Sequence, residues 1–171
     1  MARVYVKVSA NEIRKAVKER GTKNIIALTK NPNILKDIAQ EAIRLANLYV
    51  PDDSGALQES GHVVYHEKQV QLVWGDSTKG SRGNPTSDYA RYQFAGKVYG
   101  PNIPILVDGI IVGWCSPKNK PKSPTGEMLK YKSPMAIAHW TDVIKRGGSE
   151  FDALVEYAEP LVKKEVKRES R

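Results

Sequence analysis

The chain is predicted to fold as α+β: a small antiparallel β-sheet packed by a helix from the N-terminal half and by C-terminal helices, with two long loops. Three observations carry this. Leu35, Ile38, Ala42, Leu45 and Tyr49 recur at the three-or-four spacing of a helix face. Beyond a corner at Pro51, Val63 and Tyr65 and then Val70, Leu72 and Trp74 alternate as strands do. Residues 137–166 return to helical periodicity through Ile137, Trp140, Ile144, Phe151, Leu154, Val155, Ala158, Leu161, Val162 and Val166.

The elements follow in order. Val4, Val6 and Val8 alternate with Tyr5 and Lys7, so the chain opens with a strand. Ser9 with Glu12 three residues on forms a capping box for a first helix that Gly21 stops. Asn31 and Pro32 supply the cap and first residue of the main helix. Pro51 forbids its continuation, and Asp53, Ser54 and Gly55 make the turn, because Asp and Ser side chains bond nearby backbone and Gly accepts positive φ. Glu67 and Lys68 form the tip of the hairpin that follows.

Residues 75–88, rich in Gly, Ser, Thr and Asn, read as a long loop with little to bury. Asp88 then caps a short helical turn ended at Gly96. Residues 103–107 and 110–114 flank Asp108 and Gly109, a two-residue loop suited to a tight hairpin, and join the same sheet. Residues 115–134 contain four prolines and five lysines and read as a second extended loop. A helix carrying Ile137, Trp140 and Ile144 on one face ends at Gly147 and Gly148, and a final helix follows that Pro160 kinks or divides.

With 171 residues the chain is expected to be a single domain, 1–171, since a domain takes roughly 100–200 residues. Forty per cent hydrophobic residues, two Phe and a mean hydropathy of −0.48 describe a modest core under a polar surface. Lys and Arg outnumber Asp and Glu 27 to 19, so a polyanion or an acidic protein face is an expected neighbour. The excess gathers at residues 117–132 and again at the C-terminus. The lone Cys115 excludes an internal disulfide and fits a reducing cytosol, as a packed thiol at a strand end. The N-terminus lacks an apolar signal segment, and no run reaches the ~20 apolar residues that span a bilayer, so no membrane association is expected.

Residue chemistry gives little support to an enzyme or a cofactor site. Gly75 and Gly80 have the spacing of a phosphate loop, but Ser81 and Arg82 stand where Lys and Ser/Thr are needed. His62 and His66 share a strand face without a third ligand, and His139 is remote, packed at the edge of the core on its helix. Cys115 has no recognisable base beside it. Asp52 and Asp53 are adjacent turn residues that point apart, unsuited to paired acid–base work. The lysines near Trp114 and Tyr131 suit phosphate contacts and stacking, so a small basic nucleic-acid-binding protein is the alternative reading.

The order of a helix, the corner with Pro51, Asp53, Ser54, Gly55, Leu57 and Ser60, a hairpin, then Tyr89, Ala90, Gln93 and Gly96, and Trp140 near the end resembles a family of tailed-phage proteins. These are the minor capsid, head-tail joining and tail-completion proteins. The resemblance runs from about Leu35 to the final helix and is interrupted by the insert at residues 97–134. It implies a structural virion subunit that forms a homo-oligomeric ring, a hexamer or dodecamer, in the neck or at the tail's upper end as a tail terminator. Such a subunit is assembled in the host cytoplasm and located in the virion. Its partners are then copies of itself and other neck or tail proteins, with at most non-specific contact with passing DNA. No catalytic role and no cofactor are implied, and the matched residues have architectural roles. The expected interface patches are the two loops and the final helix, with Lys79, Arg82, Lys118, Lys120, Lys122, Lys130 and Lys132 as candidate contacts.

Overall fold

A computed structural model describes residues 3–7, 15–16, 32–66, 69–117 and 120–169. The fold is α+β, with mixed helices and antiparallel strands in small sheets. Strand β1 (Val4–Lys7) precedes helix α1 (Pro32–Asn47), the short helix α2 (Ala56–Glu59), and strands β2 (His62–His66) and β3 (Gln69–Trp74). Helix α3 (Thr86–Ala95), strands β4 (Lys97–Gly100), β5 (Ile103–Val107), β6 (Ile110–Cys115) and β7 (Ser123–Met128), a 3-10 turn (Trp140–Ile144) and helix α4 (Phe151–Glu169) complete the order. The opening helix predicted from Ser9, apart from residues 15 and 16, lies outside the described residues, as do the Asn31 cap and the Glu67 and Lys68 tip.

The core lies between α1 and the antiparallel sheet β1-β3-β2. Register places Val4 opposite Trp74 and Val63 opposite Leu72, so Val70, Leu72 and Trp74 line one face with the inward residues of both neighbours. That face meets the α1 stripe, where Ile38 and Ala42 are fully buried. On the other side of α1, helix α4 buries Phe151, Leu154, Val155, Ala158 and Val162. Trp140 enters edge-on to both Trp74 and Phe94, with ring centroids 6.2 and 4.9 Å apart. Edge-to-face packing of this kind aligns ring edges with π-faces, and it ties the C-terminal segment to the sheet.

Several expectations are corrected. The four later strands do not extend the core sheet: β4 pairs with β7, and β5 pairs with β6. The segment 115–134 is therefore not an extended loop throughout, because β7 finds a partner in β4 across the insert. Ile137, Trp140 and Ile144 do not share a helix face. Backbone at His139 is left-handed, φ 52°, so only a 3-10 turn forms after it, and Ile137 is 40% exposed. His139 is exposed and sits outside a helix, with its ring 4.8 Å from Phe94. Pro160 lies inside α4 without dividing it: the apolar stripe is buried on both sides of the proline, which outweighs the one N–H it removes. Among the described residues no helix is long and apolar enough to cross a membrane.

Candidate assembly surface

The matched corner is a weld between three segments. Asp52 Oδ1 accepts the Gly55 N–H at 2.6 Å, and Gly55 takes the left-handed conformation that starts α2. Leu57 is buried in the core while Ser54 is exposed and Pro51 half-buried at the chain reversal. Ser60 is fully buried. Its hydroxyl donates to the Leu57 carbonyl at 2.7 Å and accepts the Gly75 N–H at 2.9 Å, joining the corner to the end of β3. Asn47 and Gln58, which the sequence does not single out, brace the same corner. Asn47 donates to the Gln58 carbonyl, Gln58 donates to the Asn47 and Val50 carbonyls, and Asn47 Oδ1 accepts the Trp74 indole N–H at 2.9 Å.

Residues 75–85 form the expected loop, three residues shorter than 75–88, and hydrogen bonds hold it to the start of α3. Asp76 Oδ1 accepts the Thr78 N–H at 2.7 Å, Thr86 Oγ1 accepts the Asp76 N–H at 2.8 Å, and Ser87 N–H reaches the Asp76 carbonyl. These bonds satisfy the start of α3, so the helix begins at the buried Thr86 rather than at Asp88, and Pro85 occupies the cap position without a side-chain bond. Gly75 has φ 97°, and a Cβ there would stand 2.9 Å from Ala90 Cβ; the small Ala90 and the bare Gly75 together let α3 seat against β3. The phosphate-loop spacing is accounted for by this packing.

Asp53 does more than turn the chain. Its carboxylate accepts a hydrogen bond from Lys132 and another from Ser81 Oγ at 2.8 Å, so the corner, the 75–85 segment and the end of the second loop meet on one side chain. The Lys132 and Ser81 bonds hold its pKa below the usual carboxylate value. Burial raises the pKa of the half-buried Tyr89, with the Asp53 charge adding to it. Gln93 offers its carbonyl to Tyr131 Oη at 2.6 Å and to the Gly96 N–H. Gly96 ends α3 with φ 66°, and a Cβ there would meet Ala138 Cβ at 2.4 Å. Leu57, Ser60, Ala90, Gly96 and Trp140 thus pack into one body, which Asp53 and Gln93 hold by hydrogen bonds, while Ser54 stays exposed.

The predicted basic contacts scatter. Lys132 belongs to the Asp53 weld, and Lys79 and Arg82 sit exposed on the bonded 75–85 segment. Lys120, Lys122 and Lys130 are exposed around β7, with the Lys122 ammonium 5.7 Å from the Tyr92 ring centroid; Lys118 lies outside the described residues. Arg91 also lies over Tyr92, which contacts Tyr99 edge-on at 4.7 Å.

The surface that needs explaining lies between the two predicted loops. In the β5–β6 hairpin Ile103, Ile105, Leu106, Val107, Ile110, Ile111, Val112 and Trp114 are each between 43% and 68% exposed. The register passes over Val112, a bulge in β6, and puts Ile103, Ile105, Val107 and Ile110 on one face and Pro104, Leu106, Ile111 and Trp114 on the other. Both faces are apolar and both are bare. A two-stranded hairpin is marginal alone in water, and contiguous apolar surface of this extent marks an interaction site. Cys115, expected to be packed, is exposed at the end of the same hairpin. The signal was present in the sequence as two apolar runs without polar alternation, which only a strand covered on both sides requires.

Other arrangements bring less together. His62 is exposed with Nδ1 2.8 Å from the Ser60 carbonyl, and among the described residues no three His, Cys, Asp or Glu side chains gather as metal ligands. An open cavity of about 550 Å³ at the turn before α4 is lined by Asp142, Val143, Lys145, Arg146, Gly147, Gly148 and Ser149, none of them a matched residue. Compared with known proteins, the chain matches no family model, no curated protein and no solved structure.

Proposed function

We propose that this chain is a structural virion subunit of a tailed phage, a ring-forming neck or tail-completion piece that links the head connector to the tail tube. The observation that carries the reading is the division of labour between a welded body, in which most of the matched residues serve packing or hydrogen bonding, and a hairpin apolar on both faces. Such a hairpin gains its stability from neighbours, and a ring supplies two of them to every subunit through a repeated head-to-tail contact. The exposed Lys120, Lys122 and Lys130 around β7 suit acidic protein faces in the neck, and at most sequence-independent contact with DNA passing through the ring.

The test is the mass of the purified protein across concentration, followed by electron microscopy. Closed rings of six or twelve copies are expected. A single copy at the highest soluble concentration, or binding to duplex DNA by single copies with a steep salt dependence, overturns the reading in favour of a nucleic-acid-binding protein.

A further inference from the structure

We infer that the β5–β6 hairpin of one copy packs face to face on the β5–β6 hairpin of the next copy, unlike face against unlike face. This deepens the ring reading and rests on it. Eight hairpin residues, from Ile103 to Trp114, are each between 43% and 68% exposed. Together they offer on the order of 800 Å², the share that each partner gives to a standard interface, and they offer it on two faces. A single cover would leave the other face in water. The faces differ: Ile105 and Val107 lie on the first, built on Ile and Val, whereas Leu106 and Trp114 lie on the second, which carries the indole. The first face of each copy meeting the second face of the next covers both with one repeated contact, the head-to-tail arrangement from which rings close.

The hairpin's own counterpart is the cover that fits it. No other described element offers a continuous apolar face: outside residues 103–114 the exposed large apolar side chains, such as Tyr5, Leu48, Met128 and Tyr157, come singly along the chain. The chain carries a net +8, yet residues 103–115 hold no Lys or Arg and one acid, Asp108, which sits in the turn outside both faces. Copies of like charge therefore meet on these faces without pressing like charges together, and a polyanion finds nothing on the hairpin to grip. Pro104 in β5 and the bulge at Val112 in β6 blunt the two free edges, so the faces rather than the edges are left to pair. Those same open edges exclude burial in lipid, where every backbone N–H and C=O needs a partner.

Substituting one face at a time tests the contact. Ile105→Asp with Val107→Asp spoils the first face and Leu106→Asp with Ile111→Asp the second, all at exposed positions; thermal melts followed by circular dichroism establish that each variant folds. Each is expected to weaken self-association by about a hundredfold or more, because the contact would have to bury unpaired carboxylates. An equimolar mixture is expected to give one-to-one pairs and nothing larger, each variant supplying the face that the other has lost. A nitroxide on Asp108→Cys, in a Cys115→Ser background, reads the geometry: packed sheets lie ~10 Å apart, so labels on neighbouring tips are expected within about 25 Å of each other. Rings whose labels stand farther apart, or rings that persist unchanged in either folded face variant, overturn this contact and leave the ring reading standing. Self-pairing of one variant shows like faces meeting and overturns the contact as well. A wild-type chain that stays single at every concentration overturns both readings, and hairpin-dependent binding of such single copies to phosphatidylcholine vesicles or duplex DNA assigns the hairpin another occupant.

Discussion

The body and the hairpin arm use the same kinds of residue to opposite ends. In the body Val70, Leu72 and Trp74 are at most 2% exposed because α1 covers the face they share. In the arm Ile110, Val112 and Trp114 have the same spacing in sequence, but a bulge at Val112 divides them between two faces, and each is at least 60% exposed because β5 and β6 pair only with each other. A strand's pattern says which side chains point together. Whether that face becomes core or interface depends on what the rest of the chain lays over it.

The contrast can be broken first at the core. Trp140→Ala removes a fully buried indole between Trp74 and Phe94 and is expected to cost about 3–5 kcal/mol in urea unfolding. Next comes the weld: Ser60→Ala leaves the buried Gly75 N–H without its acceptor, an expected loss of about 1–3 kcal/mol by the same measurement. A loss under a few tenths would show that the corner and β3 are held by packing alone.

Acid sharpens the comparison further. Burial opposes ionisation of Asp76, but hydrogen bonds from Thr78 and Thr86 outweigh it and set its folded pKa below the ordinary 3.8. Folding that depresses a carboxyl pKa contributes stability that is present above the unfolded value and lost as pH falls through the folded one. Amide exchange at Thr78, Thr86 and Ser87 is therefore expected to speed up below about pH 3.8 beyond its intrinsic rate, and Asp76→Asn to remove that dependence. The smallest effect on stability belongs to the arm. Measured on single copies, below the concentration of assembly, Ile110→Ser with Val112→Ser and Trp114→Ser is expected to shift unfolding by less than about 0.5 kcal/mol while lowering binding of an apolar dye; a larger loss there would show that the arm is part of the core.

Much of the body was legible. The α1 stripe, the β2–β3 pair, the Pro51 corner and the Gly96 stop follow from spacing and from residues with narrow conformational preferences. The hydrogen bonds that hold the 75–85 loop were not, because they come from Asp76 meeting Thr86 ten residues away, and small polar residues read alike whether their partners are backbone or water. β7 was hidden for a related reason: a strand containing Pro124 and Gly126 carries no strand pattern and exists only because β4 offers an edge. Asp53 reads as a turn residue until Lys132, 79 residues on, arrives beside it.

By itself, then, the sequence determined the α+β class, the main helix with its buried stripe, the corner and the turn at Asp108 and Gly109, since each rests on local periodicity or on the φ restrictions of Pro and Gly. Tertiary structure alone decided that the strands divide among separate sheets, that Ser60 and Asp53 join distant segments, and that the second set of apolar strands stays uncovered. The physical reason is one of range. Backbone preference acts over a few residues, whereas pairing, burial and long-range hydrogen bonds depend on which surfaces the folded chain brings into contact.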